Sequence, residues 1–229
     1  NNNPLKYIDP DGRNPVYDLD GNFLGVDDLG LQGEAIFMQS SLFSNGMDNI
    51  DAVKQNIGMD KLSPQARETF QNHYSNLCKR PDWDGVVTAS EGIAWARQHP
   101  DALQHPTADN MLYINAALLD FGNITPSDCR NGVGAVSAIN LLNKENLRDA
   151  LTNPSLRNTV YALGRVDIQL INAAGLIKVV NNDATDYDWN GGGDMLRNAL
   201  IQLELLRTHL PLGSGFKTFY YGYGSIRTK

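Results

Sequence analysis

The sequence predicts an α+β fold: an N-terminal β-hairpin and helices, one pair of them EF-hand-like, then an antiparallel sheet with a C-terminal helix packed on it. Three observations carry this. Asp20-Gly21 lies between the short apolar runs 16–19 and 22–25, a strong hairpin signal that predicts a type I′ turn centred on that dipeptide. Ser63 and Pro64 open a stretch in which Ala66, Phe70, His73, Tyr74 and Leu77 recur at helical spacing. Val166, Ile168 and Leu170 alternate with Arg165, Asp167 and Gln169, the period of a half-buried strand.

The remaining elements follow in order. Residues 33–38 read as a strand. Residues 48–56 read as a short helix with Ile50 and Val53 on one face and Gly58 as its stop. His73, on the apolar stripe of the helix from Ser63, is expected to be a hydrogen-bonded core residue. Residues 111–121 read as a strand, 137–143 as helix or strand, and 144–151 as a helix halted before Pro154. Residues 160–171 and 176–181 flank Asn172-Ala173-Ala174-Gly175 as a hairpin. A helix from Asp194 turns Leu196, Leu200, Leu203 and Leu206 inward, and residues 216–223 have strand composition.

Composition narrows the class. With 41% hydrophobic residues, 21 glycines and 10 prolines in 229 residues, the chain reads as a soluble, loop-rich globular protein able to bury a sizeable core. No apolar run approaches the roughly 18 residues of a membrane helix. Net charge is −7, divided as −10 over residues 1–193 and +3 over residues 194–229. An acidic body argues against broad backbone-driven nucleic-acid binding, which needs many Lys and Arg. The basic tail leaves room for a small anion or RNA site. Cys78 and Cys129 allow one disulfide but show no metal-ligand spacing, and two buried thiols are expected.

Two groups of residues are candidates for chemistry. Residues 80–91 align with a calcium loop that places Asp82 at position 3, Asp84 at 5, Gly85 at 6 and Glu91 at 12. Arg80 stands where the first carboxylate belongs, so calcium is the lesser alternative. Thr88 and Glu91 have capping-box spacing and Asp84-Gly85 suits a turn, so a structural helix–loop–helix is expected. The second group is Asp186, Asp188, Arg197, Arg207 and His209, around the glycine run 191–193. His209 could act as acid or base and an arginine could stabilise phosphoryl charge, as in a metal-independent nuclease. The same residues also suit loop, helix-cap and helix-terminus roles. His99 and His105, each before a proline, read as surface histidines. P-loop, GxSxG, HExxH and zinc patterns are absent.

The first residues carry a resemblance. Asn2-Asn3-Pro4-Leu5-Lys6-Tyr7-Ile8-Asp9-Pro10-Asp11-Gly12-Arg13 reads as an extended segment ended by a turn. It resembles the last strand and closing DPxGR signature of the RHS/YD-repeat core, and "YDLDGNFLGVDDLG" resembles a degenerate YD repeat. Residues 80–91 resemble a stretch of RHS C-terminal domains from Bacteroidetes. The resemblance implies a junction remnant over 1–13 and a single exchangeable domain over 14–229, with any subdivision near 110–130. It further implies secretion or surface display as part of a larger protein with an upstream RHS shell. The implied role is that of an antibacterial toxin with a cognate immunity protein. It assigns no activity, and nuclease is the first guess. The alternative is a non-enzymatic, surface-exposed binding or structural module, stabilised by a cation through Asp82, Asp84 and Glu91.

Overall fold

The computed structural model describes residues 14–180, 184–186 and 215–228. In chain order it forms β1 (Pro15–Tyr17), β2 (Phe23–Val26), β3 (Ile36–Phe37), α1 (Asn49–Gln55), α2 (Pro64–Leu77), α3 (Ala89–Gln98) and β4 (Leu112–Asn115). There follow β5 (Val136–Asn140), α4 (Lys144–Asp149), α5 (Pro154–Leu163), β6 (Arg165–Leu170), β7 (Leu176–Val179), β8 (Ala184–Asp186), β9 (Gly215–Tyr221) and β10 (Gly224–Ser225). The α+β class holds. No described helix is long and apolar enough to cross a membrane.

The predicted hairpin forms as β1 and β2, antiparallel, with β3 added parallel on the other side of β1. Its turn differs from the predicted type I′. The Gly21 N–H donates to the Asp18 carbonyl, so Leu19 and Asp20 are the central pair and Gly21 follows at φ +84°. The Asp18 carboxylate closes this longer loop by accepting the N–H groups of Asp20 and Asn22 at 2.9 and 2.8 Å. Glycine is required here for a second reason: a Cβ at 21 would lie 2.2 Å from the Ala66 carbonyl of α2.

The helix start at 63 is capped as read, and the helix predicted over 48–56 is capped at Asp48. The Asp48 and Ser63 side chains accept the N–H groups of Asp51 and Ala66. The face of α1 that carries Ile50 and Val53 is exposed and Ala52 is buried, because this seven-residue helix touches the core through its smallest side chain. A second correction concerns residues 160–163, which end the helix Pro154–Leu163 rather than start a strand. Asn153 caps Leu156 N–H and Pro154 occupies the first turn, so the proline opens α5 instead of only ending α4. Gly164, at φ +61°, stops it.

The hairpin of β6 and β7 forms, flanked by β5 and β10 in the antiparallel order β10-β7-β6-β5. The strand of residues 215–221 does not join it. Strand β9 pairs parallel with β4 and antiparallel with β8. This small sheet is buried on both faces and divides two cores. Leu112, Ile114, Phe216 and Tyr220 face a large aliphatic core with β5–β7 and α5. Tyr113, Phe219 and Tyr221 face an aromatic cluster of Tyr17, Phe23, Phe37 and Phe70. Alternation along β4 and β9 therefore serves both sides, as in buried parallel pairs. The N-terminal hairpin is thus part of the same packed body as β9. Both cysteines are free thiols; Cys129 is buried and Cys78 half-buried.

Candidate functional site

Helices α2 and α3 and the turn between them enclose an open groove of about 570 Å³. His73 and Asn76 come from α2, Lys79 and Arg80 from the turn, and Glu91, Trp95 and His99 from α3. Asp109 closes it from the segment before β4. Helical spacing puts Glu91, Trp95 and His99 on one face of α3.

The turn is built on Arg80 and Asp82. Arg80 Nε and Nη2 donate to the two oxygens of Asp82 at 2.9 and 2.8 Å. Asp82 also accepts the Tyr113 N–H at 2.7 Å, which ties the turn to β4. Two further guanidinium hydrogens go to the carbonyls of Asp109 and Met111. The Arg80 plane lies 4.7 Å from the Trp95 ring centroid and 5.6 Å from that of Tyr113, within cation–π range. Four of the five N–H groups of this arginine hold the loop together.

The other two residues of the aligned calcium loop are also employed. Asp84 accepts the Val86 N–H at 3.0 Å, and Gly85 takes φ +80°. Glu91 Oε2 accepts the Thr88 N–H at 2.8 Å while Thr88 Oγ1 accepts the Glu91 N–H, completing the capping box. Asp82, Asp84 and Glu91 thus have separate structural partners. Among the described residues no group of three or more His, Cys, Asp or Glu side chains could hold a metal ion.

His73 is tied at both ring nitrogens. Nδ1 lies 2.9 Å from the Tyr17 hydroxyl and Nε2 lies 2.8 Å from Asp109. Burial raises the Tyr17 phenol well above its ordinary range, so it stays protonated. The His73 hydrogen bond holds the Asp109 carboxyl below the usual range. This chain stitches β1 to α2 and to the approach to β4. Sequence spacing pointed to His73 as a core residue, but Asp109 carried no local signal.

His99 is arranged differently. Its Nδ1 lies 3.0 Å from the Trp95 carbonyl, and its ring centroid lies 4.0 Å from that of the Trp95 indole with the planes tilted by 32°. A carbonyl oxygen can only accept, so Nδ1 carries a proton, and in the neutral ring Nε2 is the nitrogen with the lone pair. That is the orientation a general base needs. Glu91 lies eight residues earlier on the same helix, about 12 Å along its axis, too far to share a proton with His99.

Of the nuclease-like set, Asp186 lies in β8 opposite Gly215, while Asp188, Arg197, Arg207 and His209 lie outside the described residues. Comparison with protein-family models, with curated proteins and with solved structures finds no match.

Proposed function

We propose that this chain is the C-terminal effector domain of a secreted RHS/YD-repeat protein, acting against neighbouring bacteria and neutralised by a dedicated immunity protein. The observation that carries this reading is the opening run Asn2–Arg13 with its DPxGR ending, followed by the tyrosine-aspartate hairpin. The activity we assign first is acid–base hydrolysis of a nucleic acid. His209 with Arg197, Arg207, Asp186 and Asp188 is one set of groups for it. His99, with its tautomer fixed and Nε2 open, is the base offered by the α2–α3 groove.

The test is expression of residues 14–229 in the cytoplasm and periplasm of a bacterium. Growth arrest is expected, and normal growth in both compartments would end the effector reading. Given toxicity, the His209→Ala and His99→Ala variants decide between the two sites: loss of toxicity marks the one in use, and full toxicity removes that residue.

A second reading, a non-enzymatic binding module, is favoured by one observation. Lys79 and Arg80 in the groove are balanced by Glu91 and Asp109, which gives a phosphate chain no net attraction. Its cation-stabilised form requires calcium binding. Micromolar binding abolished by Asp84→Ala supports that form, and absence of heat at millimolar calcium removes it.

A further inference from the structure

The outer edge of β5 is where the structure points to a partner. Among the described strands β5 pairs only with β6, and it ends its sheet. The Leu141 N–H bonds the Gly164 carbonyl, which fixes the phase of the ladder. With the register Ile139↔Val166 and Ser137↔Ile168, those residues turn their backbone groups toward β6. Val136, Ala138 and Asn140 therefore turn theirs outward. Two observations agree with that phase. Asn131 Nδ2 donates to the Val136 carbonyl at 2.7 Å, and Asn143 Nδ2 donates to the Asn140 carbonyl at 3.4 Å.

Those carboxamides stand where the N–H groups of a neighbouring strand would stand. Between them the N–H and C=O of Ala138 are left with no partner among the described residues. They open into a groove of about 520 Å³ walled by Ile124, Ser127, Asp128 and Arg130. Ser137 also lines this groove. It is 4% exposed, and its hydroxyl is the one buried side-chain polar atom without a hydrogen bond among the described residues. Such a group is costly to leave unsatisfied. The strand itself, Val136-Ser137-Ala138-Ile139-Asn140, has none of the lysine or proline that usually blunts an edge, and Val133 and Val136 beside it are exposed.

We propose that this edge receives a short extended peptide segment of a partner protein, added as a strand beside Ala138. The complementary chemistry is one main-chain donor and acceptor for Ala138, with a further polar group for Ser137. A second copy of this chain does not fit. Its own β5 has the outward carbonyls of Val136 and Asn140 covered by the same asparagines, which leaves two such edges only one residue each to pair. The occupant must be a protruding strand or loop.

The probe is a displayed library of random nine-residue peptides selected on the full chain. Peptides that bind are expected to shift and protect the Ala138 amide in NMR hydrogen exchange. N-methylation of the central peptide residue should abolish binding. Ala138→Pro removes only an outward N–H, which an edge strand tolerates, and should weaken binding about tenfold while the ladder to β6 persists. Ser137→Ala should weaken it without lowering stability. The proposal fails if no peptide is selected, if selected peptides leave Ala138 unshifted, or if Ala138 is protected by self-association that rises with protein concentration.

Discussion

Arg80 and Asp82 face each other two residues apart, through two nearly equal hydrogen bonds, with the Asp82 carboxylate completely buried. An aligned calcium loop would turn the same carboxylate toward a metal. Here a cation from the chain itself occupies that role, and the Tyr113 N–H completes the coordination of the carboxylate.

Removing Asp82 leaves a buried guanidinium without its counter-charge. Asp82→Ala should therefore cost about 3–5 kcal/mol, read as a lower urea midpoint with an unchanged slope. Asp82→Asn, which keeps an acceptor for Tyr113 N–H, should cost less. Calcium at millimolar concentration should leave the wild-type midpoint where it is.

Glu91 offers a sharper test of capping against metal binding. Glutamine at the third helical position completes a capping box as glutamate does. Glu91→Gln should keep near wild-type stability, and Glu91→Ala should lose about 1 kcal/mol in chemical denaturation. A large loss for the glutamine variant, restored by calcium, would contradict the structural role.

The pH dependence of stability separates two carboxylates of opposite sign. Asp109 has a lowered folded value through His73, so its contribution is present above the ordinary carboxylate range and is lost as pH falls through the folded value. Asp109→Asn should remove that acid-side loss. Asp27 is buried and has a raised folded value, through desolvation that outweighs its hydrogen bonds from Asn49, Leu29, Gly30 and Asn14. Its contribution is present at low pH and lost as pH rises through the folded value. Urea midpoints measured from pH 3 to 7 (roughly the span where carboxyls titrate) check both signs.

Gly85 is where the loop meets β4 and the end of β9. A Cβ there would lie 2.5 Å from the Tyr221 hydroxyl and 2.8 Å from Asn115 Cβ, at φ +80°. Gly132 has nearly the same φ, +77°, in open space. Gly132→Ala should cost about 1 kcal/mol from backbone strain alone. Gly85→Ala should cost more by the steric part, and thermal unfolding of the two variants side by side reads the difference.

Much of the fold was legible from local chemistry. Ser63-Pro64, Thr88 with Glu91, and the alternation in 165–170 are signals whose physics acts within a few residues, and each forms as read. Legibility failed where local signals were ambiguous. Pro154 both ends one helix and begins another, and the apolar residues after it fit either period. Ile50 and Val53 have core composition but sit on a helix too short to bury them. The His73–Asp109 and Arg80–Tyr113 contacts join residues more than thirty positions apart, and no spacing rule reaches that far.

The sequence by itself determined the α+β class, the helix caps, the hairpins at 16–25 and 165–179, and the resemblance of the opening run. Tertiary structure alone decided that β9 pairs with β4 rather than with the β6–β7 hairpin, and that the acidic loop 80–91 closes on its own arginine. The reason is the same in both cases. Pairing partners and charge partners are chosen by which surfaces must leave water together, and that depends on the whole packed chain rather than on any window of it.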